Sequence, residues 1–228
     1  MLNDFEKFAL SQGIGTNKLD GYKKYTSGII SPTIVEERQL NAVTMDVFSK
    51  LISERIIVLG TAVDSDVANI INAQMMYLNS VDDEADIKLW INTPGGDVDS
   101  GLAIVDIMNL VDCDVATYTM GIAASMGSII LSSGVRGKRH ALPHSKILLH
   151  QPMSGTGPHT QESDFKIAYE ELKKCKDTLY QILSENTGKS VEEITVDADR
   201  DFWLTAQESL PGVYGPYGLI DQVITKKK

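Results

Sequence analysis

Disulfide chemistry has little to work with in this chain, because Cys113 and Cys175 are its only two cysteines in 228 residues. Two thiols in a chain this long make no disulfide framework and lack metal-ligand spacing, so a reducing cytoplasm fits best. Long apolar runs are missing too: none approaches the roughly 20 residues that a membrane helix needs, and the N-terminus has no basic region followed by an apolar core. Neither a membrane span nor a secretion signal is expected. Positive charge is scarce: 21 Lys and Arg face 31 Asp and Glu, for a net charge of -10. That balance repels a phosphate backbone, and Lys226-Lys227-Lys228 is the only basic block, so nucleic acid is not an expected partner. The Walker, dinucleotide and HExxH motifs are absent, and Pro143 stands between His140 and His144, which argues against a helical metal pair. No metal or cofactor is expected.

What the chain does have is apolar residues, 43% of the total, enough for a substantial core in one domain. Residues 1 to 31 read as a mobile arm or removable leader, with an amphipathic patch (Phe5, Phe8, Ala9, Leu10) interrupted by Gly13, Gly15, Gly21 and Gly28. The domain proper spans 32–228. Val47, Phe48, Leu51 and Ile52 lie at helical spacing before the β-branched run Ile56 to Leu59. The alternation continues with a helix from Val67 to Leu78, a strand from Ile87 to Ile91, a helix from Val98 to Leu110 and a strand from Val115 to Met120. Strands alternating with helices imply parallel pairing and a layered α/β fold. Lys146 to Leu149 is a further core strand ending at His150. Phe165, Ala168, Leu172, Cys175, Leu179 and Ile182 repeat at steps of three and four, so a long helix from Thr160 to Glu185 carries a seam for another helix.

Ser125 sits among small residues between a strand and the apolar Ile129-Ile130-Leu131. A serine at a strand-to-helix turn is exposed beside free helix amides, which suits a nucleophile, although a simple helix cap uses the same position. Asn92-Thr93-Pro94-Gly95-Gly96 lets backbone amides approach a ligand, as an oxyanion hole or merely as a turn. Of the four histidines, His150 stands at a strand end before the loop Gln151 to Gly155, placed to serve as a base. Asp197, Asp199 and Asp201 all offer an orienting carboxylate, and spacing alone selects none of them.

Ile91 to Gly96, Met120-Gly121, Ala123 to Gly127, Gly137-Lys138-Arg139, Leu142-Pro143, Leu149 to Pro152 and Asp199-Arg200-Asp201 stand in the order and spacing of one family. From about Pro32 to the C-terminus the chain resembles the Clp protease proteolytic subunit. The resemblance implies a single α/β domain of the crotonase-like type with a long protruding helix that packs between rings. It also implies a serine endopeptidase with Ser125 as nucleophile, His150 as general base and acid, Asp201 as orienting carboxylate, and the Gly96 and Met126 amides around the oxyanion. Val98 and Met153 would line the substrate cleft, Asp97 and Asp99 would influence side-chain preference there, and Arg200 would bond across the ring interface. The implied assembly is two stacked heptameric rings around a closed chamber, into which a hexameric Clp-type unfoldase ATPase feeds unfolded polypeptides. Trp90 stands where that family commonly has an aromatic docking residue, and a core role suits a strand tryptophan equally. The crotonase-like fold also hosts acyl-coenzyme A chemistry, and a non-catalytic ring subunit is a third expectation to be tested against these.

Overall fold

The computed structural model describes residues 4–11, 16, 33–38, 41–157, 159–212 and 217–225. Helix α1 (Asp4–Ser11) is followed by an antiparallel pair, β1 (Thr33–Arg38) with β2 (Asn41–Asp46). Asp46 then caps α2 (Val47–Ser53) by accepting from the Ser49 amide at 3.1 Å. The main sheet opens with β3 (Ile56–Leu59), β4 (Ile87–Thr93) and β5 (Val115–Ala124), all parallel. Parallel neighbours need a crossover, and α3 (Ser65–Val81) and α4 (Val98–Leu110) supply the two.

Strand β5 has ten residues and two successive partners on its far side. Thr117 to Thr119 pair with β6 (Arg139–Ala141), and Ile122 to Ala124 pair with β7 (Lys146–Leu149). Where the register with β4 shifts between Ile91 and Thr93, the Asn92 side-chain oxygen accepts from the Ile122 amide at 3.2 Å, so the displaced ladder is partly repaired. Beyond β7 lies β8 (Phe202–Thr205), antiparallel to it, and beyond β6 lies the short parallel β9 (Gln222–Val223).

Helix α5 (Met126–Ser132) is buried at all seven positions, and the hydroxyls of its two serines are satisfied by the carbonyls of Ser125 and Ile129. Helix α6 (Glu162–Thr187) behaves differently. Its 26 residues bury only Leu179, Tyr180 and Leu183, while Phe165, Ile167 and Tyr169 upstream are each more than half exposed. At 1.5 Å per residue it is about 39 Å long, and its first half extends past the domain core. The seam expected from Phe165 to Ile182 is therefore packed within this chain only at its C-terminal end. Helix α7 (Val191–Asp197) follows, opened by a capping box between Ser190 and Glu193.

The expected elements are all present, with ends moved by a few residues. Strand β5 runs through to the residue before Ser125, because pairing with β7 extends it past Met120. In the N-terminal segment, α1 lies against α3, with Ala9 fully buried and the Phe8 ring 5.5 Å from that of Tyr77. The rest of the expected arm, apart from residue 16, lies outside the described residues.

Candidate active site

The turn from β5 into α5 is tight, and Ser125 absorbs it with φ 54° and ψ −124°. A non-glycine residue at positive φ is costly and persists only where its surroundings hold it. Here they do: the Ser125 amide donates to Leu148 O at 3.0 Å, while the Ser125 carbonyl accepts from the Ser128 amide at 2.9 Å and its hydroxyl at 2.6 Å. Ser125 occupies the cap position of α5 but makes no side-chain capping bond. Its hydroxyl is instead 2.8 Å from His150 Nε2.

His150 follows β7 directly, and Asp201 directly precedes β8. Their antiparallel register pairs Leu149 with Phe202, so His150 and Asp201 stand side by side at the end of the ladder. The Asp201 carboxylate is 3.4 Å from His150 Nδ1. A carboxylate on Nδ1 favours the tautomer with its proton there, leaving Nε2 to accept from the Ser125 hydroxyl. The histidine side chain is 17% exposed but that of Asp201 is 65% exposed, and 3.4 Å is long for a charge-assisted hydrogen bond. The acid is thus adjacent without being clamped. Backbone bonds steady the neighbourhood: the Gln151 amide donates to Ala198 O at 2.8 Å, and its side-chain amide to Asp199 O at 2.9 Å. Of the three candidate aspartates, the strand pairing brings Asp201 to the histidine.

Gly95 and Gly96 form the opposite wall. Val63 pairs with this segment like a short parallel strand, its amide donating to Gly95 O and its carbonyl accepting from the Asp97 amide, both at 2.8 Å. Because peptide groups alternate along an extended chain, the Gly96 amide faces away from Val63. A Cβ on Gly95 would stand 2.6 Å from that of Ser125 and 2.9 Å from the Met126 nitrogen, so the loop lies directly against the serine turn. Met126 begins α5, where helix amides have no partner one turn earlier. The Thr93 hydroxyl braces the loop, accepting from the Gly95 amide at 3.1 Å and donating to Thr61 O at 2.5 Å.

Beside Ser125 and His150 a pocket is walled by Val98, Met126, Leu149, Leu179, Tyr180 and Leu183, among others. Val98 is on this wall. Met153 is outside it and 79% exposed, in the segment 151–157 that leaves β7 without strand pairing. The Asp97 carboxylate caps α4, accepting from the Ser100 hydroxyl at 2.5 Å and amide at 2.8 Å, and these bonds hold its pKa below the ordinary carboxylate value. Asp97 and Asp99 are both exposed. Arg200 extends into solvent with its side chain 92% exposed.

Trp90 stacks on Tyr118 at 4.8 Å, and Tyr118 on His140 at 4.6 Å, a half-buried ladder across three paired strands. Among the described residues no cluster of His, Cys, Asp and Glu is arranged for a metal ion, and no helix is long and apolar enough to cross a membrane. Sequence reasoning missed three contributors to the site. Ser128 and the Leu148 carbonyl act through backbone geometry that residue type does not reveal. Tyr180 was hidden in the periodicity of α6, where an aromatic on an apolar face reads as packing.

The Clp protease family model matches residues 38–227. An ATP-dependent Clp protease proteolytic subunit of Porphyromonas gingivalis (strain ATCC BAA-308 / W83) is 47% identical over 228 residues, covering all of both chains. One of Bacteroides fragilis (strain YCH46) is 46% identical over 227 residues, 99% of this chain and 100% of its own. One of Streptococcus sanguinis (strain SK36) is 48% identical over 193 residues, 85% of this chain and 96% of its own. With similarity of this extent laid over a strained serine turn and an adjacent histidine, the chain belongs to the Clp protease family of serine-type peptidases.

Proposed function

We propose that Ser125, His150 and Asp201 hydrolyse peptide bonds of unfolded polypeptides as the proteolytic half of an ATP-dependent degradation machine. The observation that carries this reading is the 2.8 Å contact between Ser125 Oγ and His150 Nε2 on a serine turn held at positive φ. Ser125 Oγ attacks the scissile carbonyl while His150 Nε2 takes its proton. The tetrahedral oxyanion is met by the Gly96 and Met126 amides, donors already oriented before charge develops. Collapse expels the amine, which carries away the proton held by His150, and leaves an acyl-serine. A water, deprotonated by His150, then attacks the acyl carbon and releases Ser125. Asp201 keeps the imidazole in the required tautomer and stabilises it when charged. Apart from the attacking water, every catalytic group in these steps belongs to the protein, so the reading needs no cofactor.

Residues 32–228 are the peptidase domain in this reading, and residues 1–31 an appendage to it. The projecting first half of α6, with Phe165 exposed, supports stacking of two heptameric rings around a closed chamber. A hexameric Clp-type unfoldase ATPase supplies extended chains, and the half-buried Trp90 ladder supports an aromatic docking place for it. The cytoplasm is the compartment that suits such substrates and two free thiols.

The test is active-site labelling with a fluorophosphonate, together with turnover of a short unstructured peptide by wild type and Ser125→Ala. Wild type is expected to label at Ser125 and turn over, while the variant assembles normally but retains only the roughly 10³ to 10⁴-fold advantage over water that binding and the oxyanion hole supply. Failure of folded, assembled wild type to label, or undiminished turnover by the variant, overturns the reading.

A further inference from the structure

The pocket beside Ser125 contains a polar group for which the hydrolysis has no use. Tyr180, on the last turns of α6, forms part of its wall and is 2% exposed. Its hydroxyl has no hydrogen-bond partner among the described residues. Ser128, on the same wall, is different: its hydroxyl is spent on the Ser125 carbonyl at 2.6 Å. The remaining wall is apolar, from Val98, Met126, Leu149 and Leu183. A buried hydroxyl without a partner is costly to keep, and natural proteins seldom do so without cause. Burial raises the Tyr180 pKa, and the negative charge of Asp199 raises it further, so the phenol stays protonated and acts as a donor.

Position defines what this donor would meet. When the scissile carbonyl carbon stands within attacking distance of Ser125 Oγ, about 3 to 3.5 Å, the side chain on the carbon preceding it emerges next to Ser125 and Met126. The adjoining pocket is the cavity open to it. We propose that Tyr180 is a specificity-determining residue whose hydroxyl donates to a neutral acceptor at the tip of the side chain on the acyl side of the scissile bond. The apolar wall takes the stem of that side chain and the phenol takes its end, so glutamine is favoured over what hydrophobicity alone would allow, relative to leucine. This inference rests on the peptidase reading of Ser125.

Two fluorogenic peptides that differ only in glutamine or leucine at that residue test it, assayed with the full-length assembled protein and with Tyr180→Phe. The variant keeps the ring and removes one oxygen. The ratio of kcat/KM for glutamine over leucine is expected to fall about tenfold, the order of effect of one hydrogen bond, with the leucine peptide changed less than about twofold. Thermal stability of the variant is expected to be undiminished, because the lost hydroxyl has no partner among the described residues. An unchanged ratio overturns the proposal, and so does a clear loss of stability, which would reveal that the hydroxyl is bonded within the protein. Wild type that cleaves neither peptide and resists fluorophosphonate would overturn the peptidase reading itself, a result separate from an unchanged ratio in an active enzyme.

Discussion

Gly96 is held at φ 153°, and any Cβ placed on it would run into the backbone nitrogen and carbonyl of Val63. Neither neighbour is the free end of a side chain, so Gly96→Ala has to be accommodated by moving the loop. The Gly96 amide, proposed as an oxyanion donor, moves with it. Turnover is expected to fall by about 10² to 10³, the effect of losing one oxyanion donor, while labelling of Ser125 by a reactive fluorophosphonate persists, since the Ser125 to His150 contact is built by β5, α5 and β7. Peptide kinetics alongside labelling checks this, and a variant with unaltered kcat would remove Gly96 from the oxyanion hole. The Gly-Gly pair was visible in the sequence as a place of close approach, but not what it approached. That depends on Val63, 33 residues earlier, forming a one-residue bridge to it. Asp201 was likewise out of reach of spacing arguments among three aspartates, because its selection comes from the antiparallel docking of β8 on β7 across 50 residues of intervening chain.

Strand β9 has two residues, too few for its backbone pairing to hold the C-terminal segment in place. Arg139 on β6 provides the anchor. It is 3% exposed and bonds Asp221 through two side-chain nitrogens, at 2.7 and 3.0 Å, while also donating to Ser132 O at the end of α5 and Asn186 O at the end of α6. Burial on its own would raise the Asp221 pKa, but the hydrogen bonds and charge of Arg139 outweigh it and hold the carboxyl below its ordinary value. A carboxylate with a depressed folded pKa contributes stability that is fully present above its unfolded value, about 4, and is lost as pH falls through the folded value. Asp221→Asn is therefore expected to flatten the acid side of the stability profile measured by denaturant titration from neutral to acid pH. Asp221→Ala, which leaves Arg139 buried without its charge partner, is expected to cost about 3 to 5 kcal/mol at neutral pH. An acid profile for Asp221→Asn matching that of wild type would show the pair to be incidental. The alternating elements that this anchor joins were legible from periodicity, because helix and strand periods are local properties. The Arg139 to Asp221 pair was not, because it spans 82 residues and joins two short strands without a strong pattern.

At the scale of the molecule, two observations concern surfaces that this chain alone leaves uncovered. Helix α6 projects its exposed first half with no covering element in this chain among the described residues, and Arg200 reaches solvent one residue from a carboxylate that the single chain holds loosely at 3.4 Å from its histidine. An acid 65% exposed is free to turn away from the imidazole. If Arg200 is taken up by an ion pair across a ring interface, the backbone between Ala198 and Phe202 is fixed, and Asp201 with it. Assembly then completes the triad, and an isolated chain remains a poor peptidase. Arg200→Ala is expected to loosen the double ring and to lower peptide turnover together, since misplacing a catalytic group by about 1 Å can cost roughly 100-fold. An arginine of purely surface character would instead contribute about 0 to 1 kcal/mol and leave both properties alone. Native mass measurement read beside peptide kinetics distinguishes the two. Intact double rings with full turnover in Arg200→Ala would detach Arg200 from catalysis, whereas single rings whose activity returns when high concentration drives them together would tie the orientation of Asp201 to the ring contact.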